Sequence, residues 1–193
     1  MEKIDLMYCD KGEFKSYIGD KGTREYSLWQ GIRARCFRNS SKKDAGYKDC
    51  TVDPRFYGFQ AFAAWVTKQI GFYDGFQLDK DLLVKGNRTY GPDQCIFLPH
   101  EINSSLIKNS GIRGDLPIGV LRNAGQAINP FRACISISQR NRRIGSYETP
   151  NEAFLAYKEA KESAIKELAH KYKHAIDPRA FAALINYQVE ITD

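Results

Sequence analysis

The sequence predicts an α+β protein: an N-terminal helical region ending in a strand–loop–strand–helix unit, then a three-stranded antiparallel sheet packed on a long helix. Three observations carry this expectation. Residues 131–138 alternate strictly between apolar and polar side chains, the pattern of a half-buried strand. Thr149-Pro150-Asn151-Glu152 is a helix start: Thr149 can cap, Pro150 fits the first helical position, and Glu152 can complete a capping box. Trp29, Ile32 and Cys36 recur at helical spacing, marking an earlier helix. A chain of 193 residues leaves room for two small domains, expected over 1–112 and 113–193.

The elements follow in order. Residues 1–23 are polar and irregular, an arm or a short capping element. A helix begins near Glu25, with Arg33, Arg35 and Arg38 interleaved in its apolar stripe. Residues 39–46 have loop composition. A second helix follows Pro54, with Phe59, Phe62, Ala63, Val66 and Ile70 on its buried face, Trp65 beside it and Gly71 at its end. Residues 76–81 and 95–98 read as strands around a polar loop over 85–93, and Pro99 opens a helix over 100–108. Residues 109–114 read as a linker.

The C-terminal strands are expected over 116–122, 131–138 and 142–147. On the middle one, Phe131, Ala133, Ile135 and Ile137 point one way, and Arg132, Cys134, Ser136 and Ser138 the other. The helix from Thr149 carries an apolar stripe of Ala153, Phe154, Tyr157, Ala160, Ala164 and Leu168 and should cover the apolar face of the sheet. Residues 177–193 read as a short helix and a tail.

Charge points to the kind of partner. The net charge is +6, and residues 116–147 contain no Asp or Glu but five arginines: Arg122, Arg132, Arg140, Arg142 and Arg143. If these share the open face of the sheet, that face is positive and suits phosphates. No apolar run approaches the roughly 20 residues of a membrane span. The N-terminal residues have no signal-peptide character, so a cytoplasmic location is expected. The five cysteines are irregularly spaced. Cys36, Cys50 and Cys95 with His100 have zinc-ligand chemistry, but the spacing favours reduced thiols packed as small apolar groups, and zinc is not expected. His170 and His174 lie four apart without the Glu of a zinc-protease motif and read as solvated helix residues.

Two resemblances sharpen this reading. Ile118-Gly119-Val120, Phe131-Arg132-Ala133-Cys134-Ile135, Arg142-Arg143-Ile144-Gly145-Ser146-Tyr147 and the run from Thr149 to Tyr157 together resemble the DNA-reading domain of plant ethylene-response factors. That resemblance implies double-stranded DNA as partner, read in the major groove by the sheet. The implied contacts are Arg122, Arg132, Ser136, Ser138, Arg140, Arg142 and Arg143. The sequence departs from the plant pattern at Leu121, Cys134 and Ser136, where charged contacts are usual.

Trp29, Arg35-Cys36, the runs 47–52, 59–65 and 78–81, Gly86-Asn87 and the run 90–103 resemble an N-terminal region of phage HNH-type homing endonucleases. Such a nuclease holds one divalent metal, Mg²⁺ or Mn²⁺, on a hairpin laid against a helix. The resemblance implies Asp79 as metal ligand, Lys80 at the position of the general base, Asn87 as the loop asparagine and Asn103 as the second ligand. Asp81 and His100 are further metal candidates. A lysine near its ordinary pKa of about 10 is protonated at neutral pH and cannot accept a proton. Lys80 fits better as a phosphate or leaving-group stabiliser. The expectation is therefore a metal-dependent DNA-cutting or nicking protein. The alternative is a non-catalytic DNA-binding regulator or inhibitor on a degenerate nuclease scaffold, with Asp79, Lys80 and Asp81 merely forming surface ion pairs.

Overall fold

The computed structural model describes residues 4–37, 47, 49–107, 115–125, 128–138 and 140–193. The loop expected at 39–46, the linker at 109–114 and the domain boundary at 112/113 lie outside the described residues. The chain is α+β and forms two compact units, Met1–Leu98 and Pro99–Asp193.

The first unit opens with a tight antiparallel pair, β1 (Tyr17–Ile18) and β2 (Lys21–Gly22), leading into helix α1 (Arg24–Phe37). Strand β3 (Thr51–Val52), a 3-10 turn (Pro54–Phe56) and helix α2 (Phe59–Val66) follow. Then come β4 (Gln77–Asp79), β5 (Thr89–Tyr90) and β6 (Ile96–Leu98). β3 pairs in parallel with β5, and β4 pairs antiparallel with β6.

The core is aromatic. Trp29 and Ile32 of α1 meet Phe59, Phe62 and Val66 of α2, with Phe56, Phe72 and Phe97 around them. The buried Trp29 indole donates to the Phe56 carbonyl at 3.0 Å, so its one polar atom is satisfied. Cys36, Cys50 and Cys95 are buried in this core, and burial pushes the Cys95 thiol up to about 12. Helix α2 stops sooner than its stripe predicts, and Ile70 is half-exposed at 50%. The Thr67 hydroxyl and the Gln69 amide donate to the carbonyls of Ala63 and Trp65, closing the helix end before Ile70 can join the buried face.

The second unit contains α3 (His100–Ser105), β7 (Val120–Arg122), β8 (Phe131–Ile137), β9 (Arg140–Tyr147), α4 (Pro150–Lys171) and α5 (Pro178–Ile185). The strands form one antiparallel sheet in the order β7-β8-β9, and α4 packs across it. Val120, Ala133 and Ile135 bury against Ala153, Phe154 and Tyr157 of α4, with Val189 from the C-terminal tail. The capping box forms as the sequence predicts: Glu152 N–H donates to Thr149 Oγ1, and Thr149 N–H to the Glu152 carboxylate. The tail is tied down where Val189 N–H donates to Glu162 and Lys158 pairs with Glu162 at 3.0 Å.

The first strand is shorter than expected because Gly119 turns the chain at φ 77, tight against Tyr157. The third is longer, starting at Arg140, because only residues 138 and 139 separate the paired Ile137 and Arg140. Between Ala133 and Cys134 the register slips by one: Ala133 faces Gly145 while Cys134 faces Arg143, which leaves Ile144 as the extra residue of a β-bulge. No described helix is long and apolar enough to cross a membrane.

Gly119 and Gly125 separate the two costs of a positive φ. A Cβ on Gly119 would overlap the Tyr157 ring, whereas one on Gly125 (φ 75) meets open space. Gly119→Ala should destabilise the second unit by about 2–4 kcal/mol, and Gly125→Ala by about 1 kcal/mol, in denaturant unfolding. Equal losses would show that the Tyr157 contact is not what fixes the turn.

Candidate nucleic-acid interface

Residues directly opposite on antiparallel strands share a face. Arg132 lies between Leu121 of β7 and Ser146 of β9; Cys134 is opposite Arg143, and Ser136 opposite Asn141. These seven residues make up the face turned away from α4. The predicted alternation of β8 appears in its burial: Ala133 and Ile135 are buried, Arg132 and Cys134 half-buried, and Ser136 exposed.

The five arginines do not share this face. Arg122 pairs with Phe131, Arg140 with Ile137 and Arg142 with Ile135, so the register sets those three on the helix side. Arg122 lies over the Phe131 ring at 5.7 Å, and Arg140 and Arg142 are exposed near the β8–β9 turn. The bulge decides the matter for Arg143. An unbroken register from Tyr147 would set Arg143 opposite Ile135, on the helix side; the extra residue Ile144 moves it opposite Cys134. Arg143 is also held: its guanidinium donates to Ser146 Oγ, which accepts from the Asn123 amide at 3.0 Å as well.

Ser138, expected among the DNA contacts, is engaged within the protein. It is a turn residue at φ 51, not the end of the strand. Its hydroxyl donates to Glu101 Oε1 at 2.6 Å, and its N–H donates to Ser105 Oγ at 3.3 Å. Glu101 also accepts from the Lys171 ammonium and from the Tyr172 hydroxyl at 2.7 Å. These bonds, that from Lys171 foremost, hold its carboxyl down at about 2. An open cavity of about 300 Å³ lined by His100, Glu101, Ser104 and Ser138 flanks the cluster. Sequence reasoning missed Glu101, whose partners lie 37, 70 and 71 residues away.

The loop after β4 brings Asp79, Lys80, Asp81 and Asn87 together. Asp79 Oδ1 accepts the N–H groups of Asp81 at 2.9 Å and Leu82 at 2.8 Å, closing the turn. Burial raises the Asp79 carboxyl above the usual carboxylate range, and the two N–H bonds oppose that rise. Lys80 is 5% exposed rather than a surface residue. Its ammonium pairs with Asp81, donates to the Asn87 carbonyl at 3.1 Å and sits 5.6 Å from the centre of the Tyr90 ring. The Asn87 carboxamide donates to the carbonyls of Lys80 at 2.7 Å and Thr89 at 2.8 Å, and accepts from Thr89 N–H at 3.1 Å.

β4 and β6 are in the first compact unit, whereas α3, with His100 and Asn103, is in the second. Among the described residues, no group of three or more His, Cys, Asp or Glu side chains is placed to hold a metal ion. In comparisons with known proteins, no protein-family profile, no curated protein and no solved structure matches the chain.

The Glu101 cluster has an acid signature. Its carboxyl is lowered from 4.5 to about 2 in the folded chain, so the stabilisation is complete above about pH 4.5 and is lost as pH falls towards 2. Denaturant unfolding of the second unit should weaken across that window, and Glu101→Gln should flatten this acid limb. An acid limb of the same depth in the variant would remove Glu101 as its source.

Proposed function

We propose that the chain is a phage-type DNA-binding protein that grips double-stranded DNA with the open face of the β7-β8-β9 sheet and does not cut it. The observation that carries this reading is the placement of Arg132 and Arg143 together on that face, within a stretch free of acidic residues. Guanidinium forks match phosphate oxygens and the edge of guanine, and a narrow sheet fits the major groove. α4 backs the sheet, so the arginines stand on a firm platform. Arg140 and Arg142, exposed beside the hairpin turn, suit phosphate contacts at the groove's rim.

The geometry of Lys80 favours binding over cutting. At the position of the general base stands an ammonium committed to Asp81 and to the Asn87 carbonyl. An ammonium has no lone pair with which to take a proton from water. A second reading, metal-dependent nicking, is favoured by Asn87, whose carboxamide fixes the carbonyl of residue 80 as a nuclease loop asparagine would. Asp79 and Asp81 offer the hard oxygens that Mg²⁺ or Mn²⁺ prefers, but Lys80 already neutralises Asp81. Among the described residues, these side chains are not joined by a third His, Cys, Asp or Glu to make a metal set.

Replacing Arg132 and Arg143 together with alanine should weaken duplex binding and reduce the slope of log affinity against log salt by about 2. Unchanged affinity and slope in the folded double variant would exclude the sheet face as the interface.

For the loop, plasmid incubated with Mg²⁺ or Mn²⁺ should stay intact with the unmodified protein and with Lys80→His. Chelator-sensitive nicking that Asp79→Ala abolishes would replace the binding reading with the nuclease one.

A further inference from the structure

Ser138 is the only non-glycine residue with a positive φ among those described. That conformation is cheap for glycine, tolerated by asparagine and costly for serine. Two-residue hairpin turns favour Gly and Asn for this reason. A serine there is locally the wrong residue, and such an outlier persists when its surroundings hold it. Here they do: the Ser138 hydroxyl is bound to the Glu101 carboxylate and its N–H to Ser105, whose own hydroxyl donates to the Glu101 carbonyl at 2.7 Å. Glu101 is itself fixed by Lys171 and Tyr172 at the end of α4. The hairpin that carries Arg140, Arg142 and Arg143 is therefore fastened at its tip to α3 and, through Glu101, to α4.

We propose that Glu101 and Ser138 form a latch that positions the β8–β9 hairpin for its ligand, making α3 a working part of the nucleic-acid-binding unit. The proposal rests on the DNA-binding reading above. Positioning lowers the ordering cost of binding without adding a contact to the ligand. It also accounts for the choice of residue: a hydroxyl at 138 gains a charge-assisted bond that glycine cannot make.

Two substitutions separate the latch from ordinary turn chemistry. Ser138→Gly relaxes the backbone but removes the hydroxyl. Ser138→Asn also tolerates the conformation and keeps a donor for Glu101. Amide hydrogen exchange on the full chain reads the hairpin directly. Binding of a mixed-sequence DNA duplex across a salt series reads its effect on the ligand.

With the latch, Ser138→Gly should speed exchange at residues 134–143 by about tenfold, leaving β7 and the middle of α4 unchanged. Its duplex affinity should fall several-fold with the salt slope intact, because no phosphate contact is lost. Ser138→Asn should stay near the unmodified protein, and Glu101→Gln should fall on the glycine side. The latch is overturned if Ser138→Gly leaves exchange unchanged or slows it, or if exchange quickens equally through the unit. Faster hairpin exchange with unaltered affinity would likewise overturn the positioning role. If the unmodified protein binds no duplex, the DNA reading fails and the positioning role fails with it, while the exchange contrast still decides whether the hairpin is fastened at its tip.

Discussion

The second unit depends on one buried contact, the apolar side of β8 against α4. Ala133 and Ile135 can reach Ala153, Phe154 and Tyr157 only in one register, because a slip by one residue would turn Arg132 and Cys134 into the core. Burying the Arg132 guanidinium in their place would cost far more than any single contact returns. The face presented to solvent is thus chosen by what must be hidden on the other side. The turn at Gly119 packs on Tyr157, and the tail adds Val189 to the same contact.

In the first unit the organising charge is Lys80. A cation buried beside a carboxylate, a carbonyl and an aromatic face is stable only because all three are in place. Asn87 and Asp79 supply the backbone frame that keeps them there. A loop built in this way has its own positive charge at its centre. It gives the run Leu78-Asp79-Lys80-Asp81 a folding role that does not require chemistry.

Much of the fold was legible in the sequence because it depends on short-range periodicity. The alternation over Phe131–Ile137 and the Thr149 capping box are local patterns, and both appear as expected. What depended on distant partners was not legible. Glu101 reads as an ordinary helix residue until Lys171 and Tyr172 arrive from the far end of α4. Lys80 reads as a surface residue because its neighbours in sequence are acids, whereas its burial comes from Asn87 and Tyr90. Ile70 fits the helical stripe, but side-chain bonds to the last carbonyls end α2 first.

The bulge at Ile144 has a consequence for how such a surface can evolve. Which side chains of β9 face outward beyond that point is a matter of parity, set by whether the chain spends one extra residue there. Removing Ile144 itself would regularise the ladder while leaving Arg143 opposite Cys134, and adding a residue between Arg143 and Gly145 would force the strand either to widen the bulge or to invert everything towards the hairpin turn. Inversion would exchange Arg143 for Arg142 on the outer face without replacing a single side chain. A change of length in β9 is therefore a compact route to a new surface, and one that a comparison of residue identities alone would not register.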